Sequence, residues 1–185
     1  MTPAESIVTL QRFVDQYAAD VTAALAVLAD RATPEPARFA LAAALNYVLD
    51  LLDIFPDHYA GLGVADDALV LRLAARQAAA EGATGAAIER LAGEASTVEA
   101  MFGGELASAL DTYVQRLGGR AVRGRTVGQI LSDPDVYAVF SADVGRQVRA
   151  SRPRPIDTSQ GGPEGVLGEL RLMMRAALKK EGLLG

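Results

Sequence analysis

Residues 6–31 read "SIVTLQRFVDQYAADVTAALAVLADR". Leu10, Val14, Tyr17, Val21, Leu25 and Leu28 recur every three or four positions, so at about 100° per residue they fall on one stripe of a long helix. The same spacing continues outward. "ATPEP" breaks the run, with Thr33 expected as the N-cap and Pro34 at the first position of a second helix. That helix is expected to reach about Phe55, where Pro56, lacking an N–H, ends it. "AGLG" (60–63) turns the chain into a third helix over about 65–80. "EGATG" and the pair Gly103–Gly104 set off a fourth (about 85–102) and a fifth (about 105–117). After the basic loop "GGRAVRGR" (118–125), a short helix breaks at Asp133–Pro134 and another follows. Residues 151–165 have linker composition, and 166–185 form an amphipathic helix with a basic end. No strand pattern and no internal repeat is evident. The expected fold is all-α: one helical domain over residues 1–150, six to eight helices in all, with a semi-detached C-terminal helix.

Composition agrees. Half of the 185 residues are apolar, only 5% are aromatic, and Ala and Leu, the strongest helix formers, dominate. The absence of Cys excludes disulfides, zinc–thiolate sites and thiol catalysis. "MTPAESIVTLQRF" does not read as a signal peptide, and the longest uncharged apolar stretch, "FALAAALNYVL" (39–49), falls well short of the ~20 residues of a membrane span. A soluble, cytoplasmic protein is expected. The net charge of −5 is unevenly placed: residues 1–115 carry −10, residues 116–154 carry +5 and the remainder is neutral. Such asymmetry suggests an anionic partner, or an internal match between the acidic and Arg-rich parts.

The sharpest feature is "YVLDLLDIFPDHYAGLGVADDA" (47–68), which places five carboxylates and the chain's one histidine among apolar residues. If the second helix runs on, Asn46, Asp50, Asp53 and Asp57 share a stripe about 60° wide bordering the buried face. Carboxylates one turn apart repel, so a cation, an arginine, a proton or a helix N-terminus must offset them. Asp53 and Asp57, with Asp66 and Asp67 across the turn, are candidate oxygen ligands for Mg2+, Mn2+ or Ca2+, with His58 and Asp50 as weaker candidates. The competing reading is structural: Asp66 or Asp67 caps the third helix, Asp57 caps the turn after Pro56, and Asp50 faces water.

This segment resembles the signature of the YkvA-like family, a small bacterial domain of unknown function. Tyr47 takes the aromatic position, Asp53 the first aspartate, Pro56–Asp57 the Pro-Asp pair, Gly63 the glycine and Asp66–Asp67 the closing pair. Two positions depart: Leu51 stands where the family has a first proline, so no helix break is expected there, and His58 stands where it has an apolar residue. The resemblance covers about residues 40–75. It implies a helical hairpin that gathers its acidic positions at the turn, and it implies no reaction.

Other chemistries fit poorly. Asp53-x-x-x-Asp57 has the look of a diphosphate-binding motif, but isoprenoid synthases use two on facing helices of a longer bundle. One histidine is too few for His-Asp phosphohydrolases, and no Walker loop or dinucleotide fingerprint occurs. The Arg-rich segment, with Arg120, Arg123 and Arg125 as candidate partner contacts, lacks the aromatic platforms and overall basic charge of nucleic-acid modules. Leu170, Met173, Met174 and Leu178 give the C-terminal helix an apolar face suited to docking, to self-association or to a protein partner, and membrane-surface contact is a further use of such a face. The expected function is therefore a non-catalytic adaptor or assembly protein whose acidic, YkvA-like hairpin is held by a cation or by arginine. The alternative is a metal-dependent enzyme acting on a phosphate-containing substrate, with His58 as acid or base.

Overall fold

A computed structural model describes residues 1–50, 54–55 and 62–185. Among these residues the protein is all-α. Eight helices follow one another as α1 (Pro3–Ala29), α2 (Glu35–Tyr47), α3 (Ala65–Ala80), α4 (Ala86–Phe102), α5 (Gly104–Arg116), α6 (Val127–Ser132), α7 (Pro134–Ala150) and α8 (Gly162–Lys180), with a single 3-10 turn at Leu117–Gly119. The described residues contain no strand, only an isolated bridge between Val122 and Arg125. No helix among them is long and apolar enough to cross a membrane.

Local chemistry sets most boundaries. Thr2 opens α1 with a capping box: its Oγ accepts from the Glu5 N–H and the Glu5 carboxylate accepts from the Thr2 N–H. Thr126 and Gln129 repeat the device on α6, and Asp133 caps α7. α3 closes in a Schellman motif: the Ala83 N–H reaches the Ala78 carbonyl, the Gly82 N–H reaches Ala79, and Gly82 adopts φ +90°. α8 ends the same way at Gly182.

The second helix departs from expectation at both ends. Pro34, not Thr33, is its N-cap; the Thr33 hydroxyl instead donates to the Val27 carbonyl and closes the end of α1. At its other end it stops at Tyr47 rather than near Phe55. The Leu49 and Asp50 N–H groups fold back onto Asn46 and Tyr47 carbonyls in a tight turn. The Leu49 carbonyl is taken by Arg123 Nε at 3.0 Å, from the basic loop. With α2 ended at Tyr47, Asp50 does not continue the helical stripe above Asn46; Asp53, Pro56 and Asp57 lie outside the described residues.

α3 sits at the centre. Twelve of its sixteen residues are buried, including every one from Ala65 to Ala75, so it has core on all sides. It packs on α1, α2, α4 and α5. Both α2 and α3 bury many small side chains, among them Ala42 and Ala44 of α2 and Ala68, Ala74 and Ala78 of α3. The C-terminal helix, expected to stand partly apart, lies on α1 and α5 and buries Val166, Leu167, Leu170, Met174 and Leu178. The segment leading to it is tied to α1: Gln11 Oε1 accepts from the Ile156 N–H at 2.7 Å, and Ile156 is buried.

Candidate functional site: a buried acid–tyrosine anchor

Asp66 and Asp67 occupy the first turn of α3, where helix peptide dipoles favour negative charge. Neither caps the helix; Val64 is the N-cap and makes no side-chain bond. Both carboxylates point into the protein. Asp66, 1% exposed, brings three donors to its Oδ2: the Tyr47 hydroxyl at 2.7 Å, the Ile54 N–H at 2.8 Å and the Phe55 N–H at 3.2 Å. The Ile54 N–H is shared with the Tyr47 oxygen at 3.0 Å. Asp67 Oδ2 accepts from the Tyr17 hydroxyl at 3.0 Å. One helix turn thus ties α1, α2 and the Ile54–Phe55 segment to α3, and Tyr47 in turn stands edge-on to Tyr113 of α5.

Burial dominates the electrostatics. Desolvation pushes the Asp66 carboxyl up to about 6, although the bonds from Tyr47, Phe55 and Ile54 pull it down. The Tyr47 hydroxyl is raised well above its ordinary value, first by burial and then by the Asp66 charge. Asp66 Oδ1 is buried and has no hydrogen-bond partner among the described residues.

Of the sequence-predicted acidic ligands, Asp66 and Asp67 are neighbours on one turn, while Asp53, Asp57 and His58 lie outside the described residues. Asp50 is half-buried, and its charge acts on Tyr113 and Arg120. Among the described residues no group of three His, Cys, Asp or Glu side chains is arranged to hold a metal ion.

The basic loop faces this same hairpin. Val122 and Arg125 exchange backbone hydrogen bonds around Arg123 and Gly124, both at positive φ, as type I′ turns require. Arg120 donates to the Tyr113 hydroxyl at 2.6 Å and pairs with Glu181 at 3.2 Å. Arg123 holds Leu49, and Arg125 pairs with Asp143 at 2.8 Å beside the Phe140 ring. Asn46 Nδ2 donates to the Arg125 carbonyl. In the C-terminal helix, Leu170, Met174 and Leu178 lie in the core, Met173 is half-buried, and Leu172 is 69% exposed.

A second charged centre escaped the sequence reading. Arg72, fully buried in the middle of α3, lies 3.6 Å from the centre of the Phe13 ring. It donates to Asp20 at 3.0 Å, to Glu94 at 2.9 Å and to the Ala68 carbonyl at 2.9 Å. Arg90 takes the other oxygen of Asp20 and also pairs with Glu94, which Arg12 reaches at 3.2 Å. The cluster joins α1, α3 and α4. Its sequence signal is a lone arginine within "ALVLRLAA" (68–75), because an unpaired cation cannot be buried at tolerable cost.

Fold and site together define an all-α bundle whose central helix anchors a hairpin through two buried aspartates and two tyrosines. A family model described as "Protein of unknown function (DUF1232)" matches residues 37–73, the segment that holds Tyr47, Asp66 and Asp67. No curated protein and no solved structure matches the chain.

Proposed function

We propose that the chain is a non-catalytic helical adaptor or assembly protein, and that its YkvA-like hairpin is a structural module. The convergence of three donors on Asp66 Oδ2 supports this most directly, because it uses the closing aspartates to fix the hairpin. The family match over the same segment fits this reading. Arg123 on the Leu49 carbonyl and Asn46 on the Arg125 carbonyl make the loop a brace for the end of α2, while the Arg120 and Arg125 side chains are taken by Tyr113, Glu181 and Asp143. Leu172 and Met173 are the part of the C-terminal helix left for a protein partner or for self-association.

A second reading has its own observation. The buried, unpartnered Asp66 Oδ1 is an oxygen that a hard cation would complete, with Asp67, Asp53 and Asp57 as further donors. A Mg2+, Mn2+ or Ca2+ ion held there would polarise a phosphate-containing substrate, with His58 as acid or base.

Melting temperature separates the two. For the structural hairpin, chelator and the three cations leave wild type unmoved. Asp66→Asn, which keeps an acceptor oxygen, melts at or above wild type near neutral pH, and Asp66→Ala loses about 2–4 kcal/mol through its stranded donors. For the cation site, a metal raises the wild-type melting temperature by mass action and Asp66→Asn removes that rise. The second pattern overturns the structural reading.

A further inference from the structure

We propose that the groove between α2, the C-terminal end of α3 and α5 is a docking site for a basic, apolar protein segment: a bulky apolar side chain seated against Phe39, with a lysine or arginine beside it. This names the partner chemistry of the adaptor reading and rests on that reading.

The groove encloses about 630 Å3, within the range of well-formed binding clefts. Small side chains, Ala40 and Ala43 on α2 and Ala80 on α3, leave the room, and Val114 of α5 adds an apolar wall. Phe39 also lines it and remains 41% exposed, one of the few large apolar side chains left in water among the described residues. Its ring lies over the backbone of Gly118: a Cβ there would stand 2.2 Å from Phe39 Cε1. Glycine at that position therefore lets the ring lie flat beside the groove.

Charge selects the occupant. Glu35 and Glu81 line the groove, both are exposed, and neither has an ion-pair partner among the described residues. Glu81 also sits at the negative end of the α3 dipole. No Lys or Arg is among the described lining residues. An apolar cleft with an acidic rim favours a cationic segment and repels an acidic one. Gln77 adds direction: its Nε2 is buried and has no acceptor among the described residues, a donor that a partner's backbone carbonyl would satisfy. A second copy of the chain has Lys179 and Lys180 near Leu183 and Leu184, but both leucines pack on their own core.

The test pans the full chain against a random displayed peptide library and titrates the enriched peptides by fluorescence anisotropy. The expected peptides carry Leu, Phe, Met or Trp next to Lys or Arg, and added salt weakens them. Phe39→Asp and the double charge reversal Glu35→Lys/Glu81→Lys each weaken binding at least about tenfold, with helicity unchanged by circular dichroism. Gly118→Ala, which displaces the Phe39 ring without touching the rim, weakens it too. Acidic enriched peptides overturn the proposal. Basic peptides that bind all variants equally overturn the groove and leave the adaptor reading standing. Failure to enrich any peptide counts against both.

Discussion

Asp66 carries the most consequence for its size. Its folded-state value of about 6 lies above the ordinary 3.8, so between about pH 4 and pH 6 the native state holds a proton that the unfolded chain releases. The stability this group contributes is complete below about pH 4 and is lost as pH rises through 6, on the order of 3 kcal/mol. Denaturant titrations of wild type and Asp66→Asn across that window isolate it: the wild type loses stability relative to the variant as pH rises. Parallel curves would remove the claim. Arg72 behaves differently, because burial sets its cost while Asp20 and Glu94 satisfy it. Arg72→Met is expected to cost about 3–5 kcal/mol by leaving buried carboxylates short of a cation, and adding Asp20→Asn recovers a good part of that. Equal denaturation midpoints for the single and double variants would refute the coupling. At this scale the sequence was partly legible. The acidic crowding at residues 47–68 singled out Asp66 and Asp67, but not the tyrosine and the backbone N–H groups that donate to Asp66.

Elements were legible wherever local spacing decides them. α3 begins and ends where its apolar run does, and α4 to α7 fall within a residue or so of their punctuation by Gly and Pro. α2 was not, because the groups that end it are distant in the chain: Arg123 on the Leu49 carbonyl, Asp66 on the Ile54 and Phe55 N–H groups. No window of sequence around Tyr47 contains that information. The turn that delivers Arg123 is itself strained, since Arg123 has φ +50°, a left-handed conformation that costs a residue with a Cβ about 1 kcal/mol or more. Two substitutions separate strain from contact. Arg123→Ala loses the Leu49 bond and keeps the strain; Arg123→Gly loses the bond and relieves it. The glycine variant is expected to be more stable than the alanine variant by about 1 kcal/mol in urea unfolding. Equal midpoints would mean that the turn relaxes without cost.

At the scale of the molecule, the Arg-rich segment uses part of its charge locally and leaves Arg116, Arg146, Arg149, Arg152 and Arg154 exposed. Arg120 reaches Glu181 of the neutral C-terminal part, Arg125 reaches Asp143 within the Arg-rich segment itself, and Arg123 takes the Leu49 carbonyl, so these arginines are matched locally rather than by carboxylates of the acidic body. The C-terminal helix is tied to the bundle. Arg171 donates to the Met101 carbonyl at 2.6 Å and Arg175 pairs with Glu105, so polar ties flank the apolar face of α8. Its composition alone could not separate a docked helix from a free one, because an amphipathic face reads the same whichever surface covers it. Five buried side chains, Val166, Leu167, Leu170, Met174 and Leu178, contribute on the order of 10 kcal/mol at about 1.5–3 kcal/mol each. That is comparable to the whole stability of a typical domain, about 5–15 kcal/mol. Truncation after Gly161 is therefore expected to abolish cooperative melting and to open the α1–α5 face to a hydrophobic dye, and a peptide of residues 162–185 added in trans should restore both. A truncated chain that melts sharply at the wild-type temperature would show that α8 rests on the bundle without stabilising it. Leu170, Met174 and Leu178 would then be free to leave it for a partner.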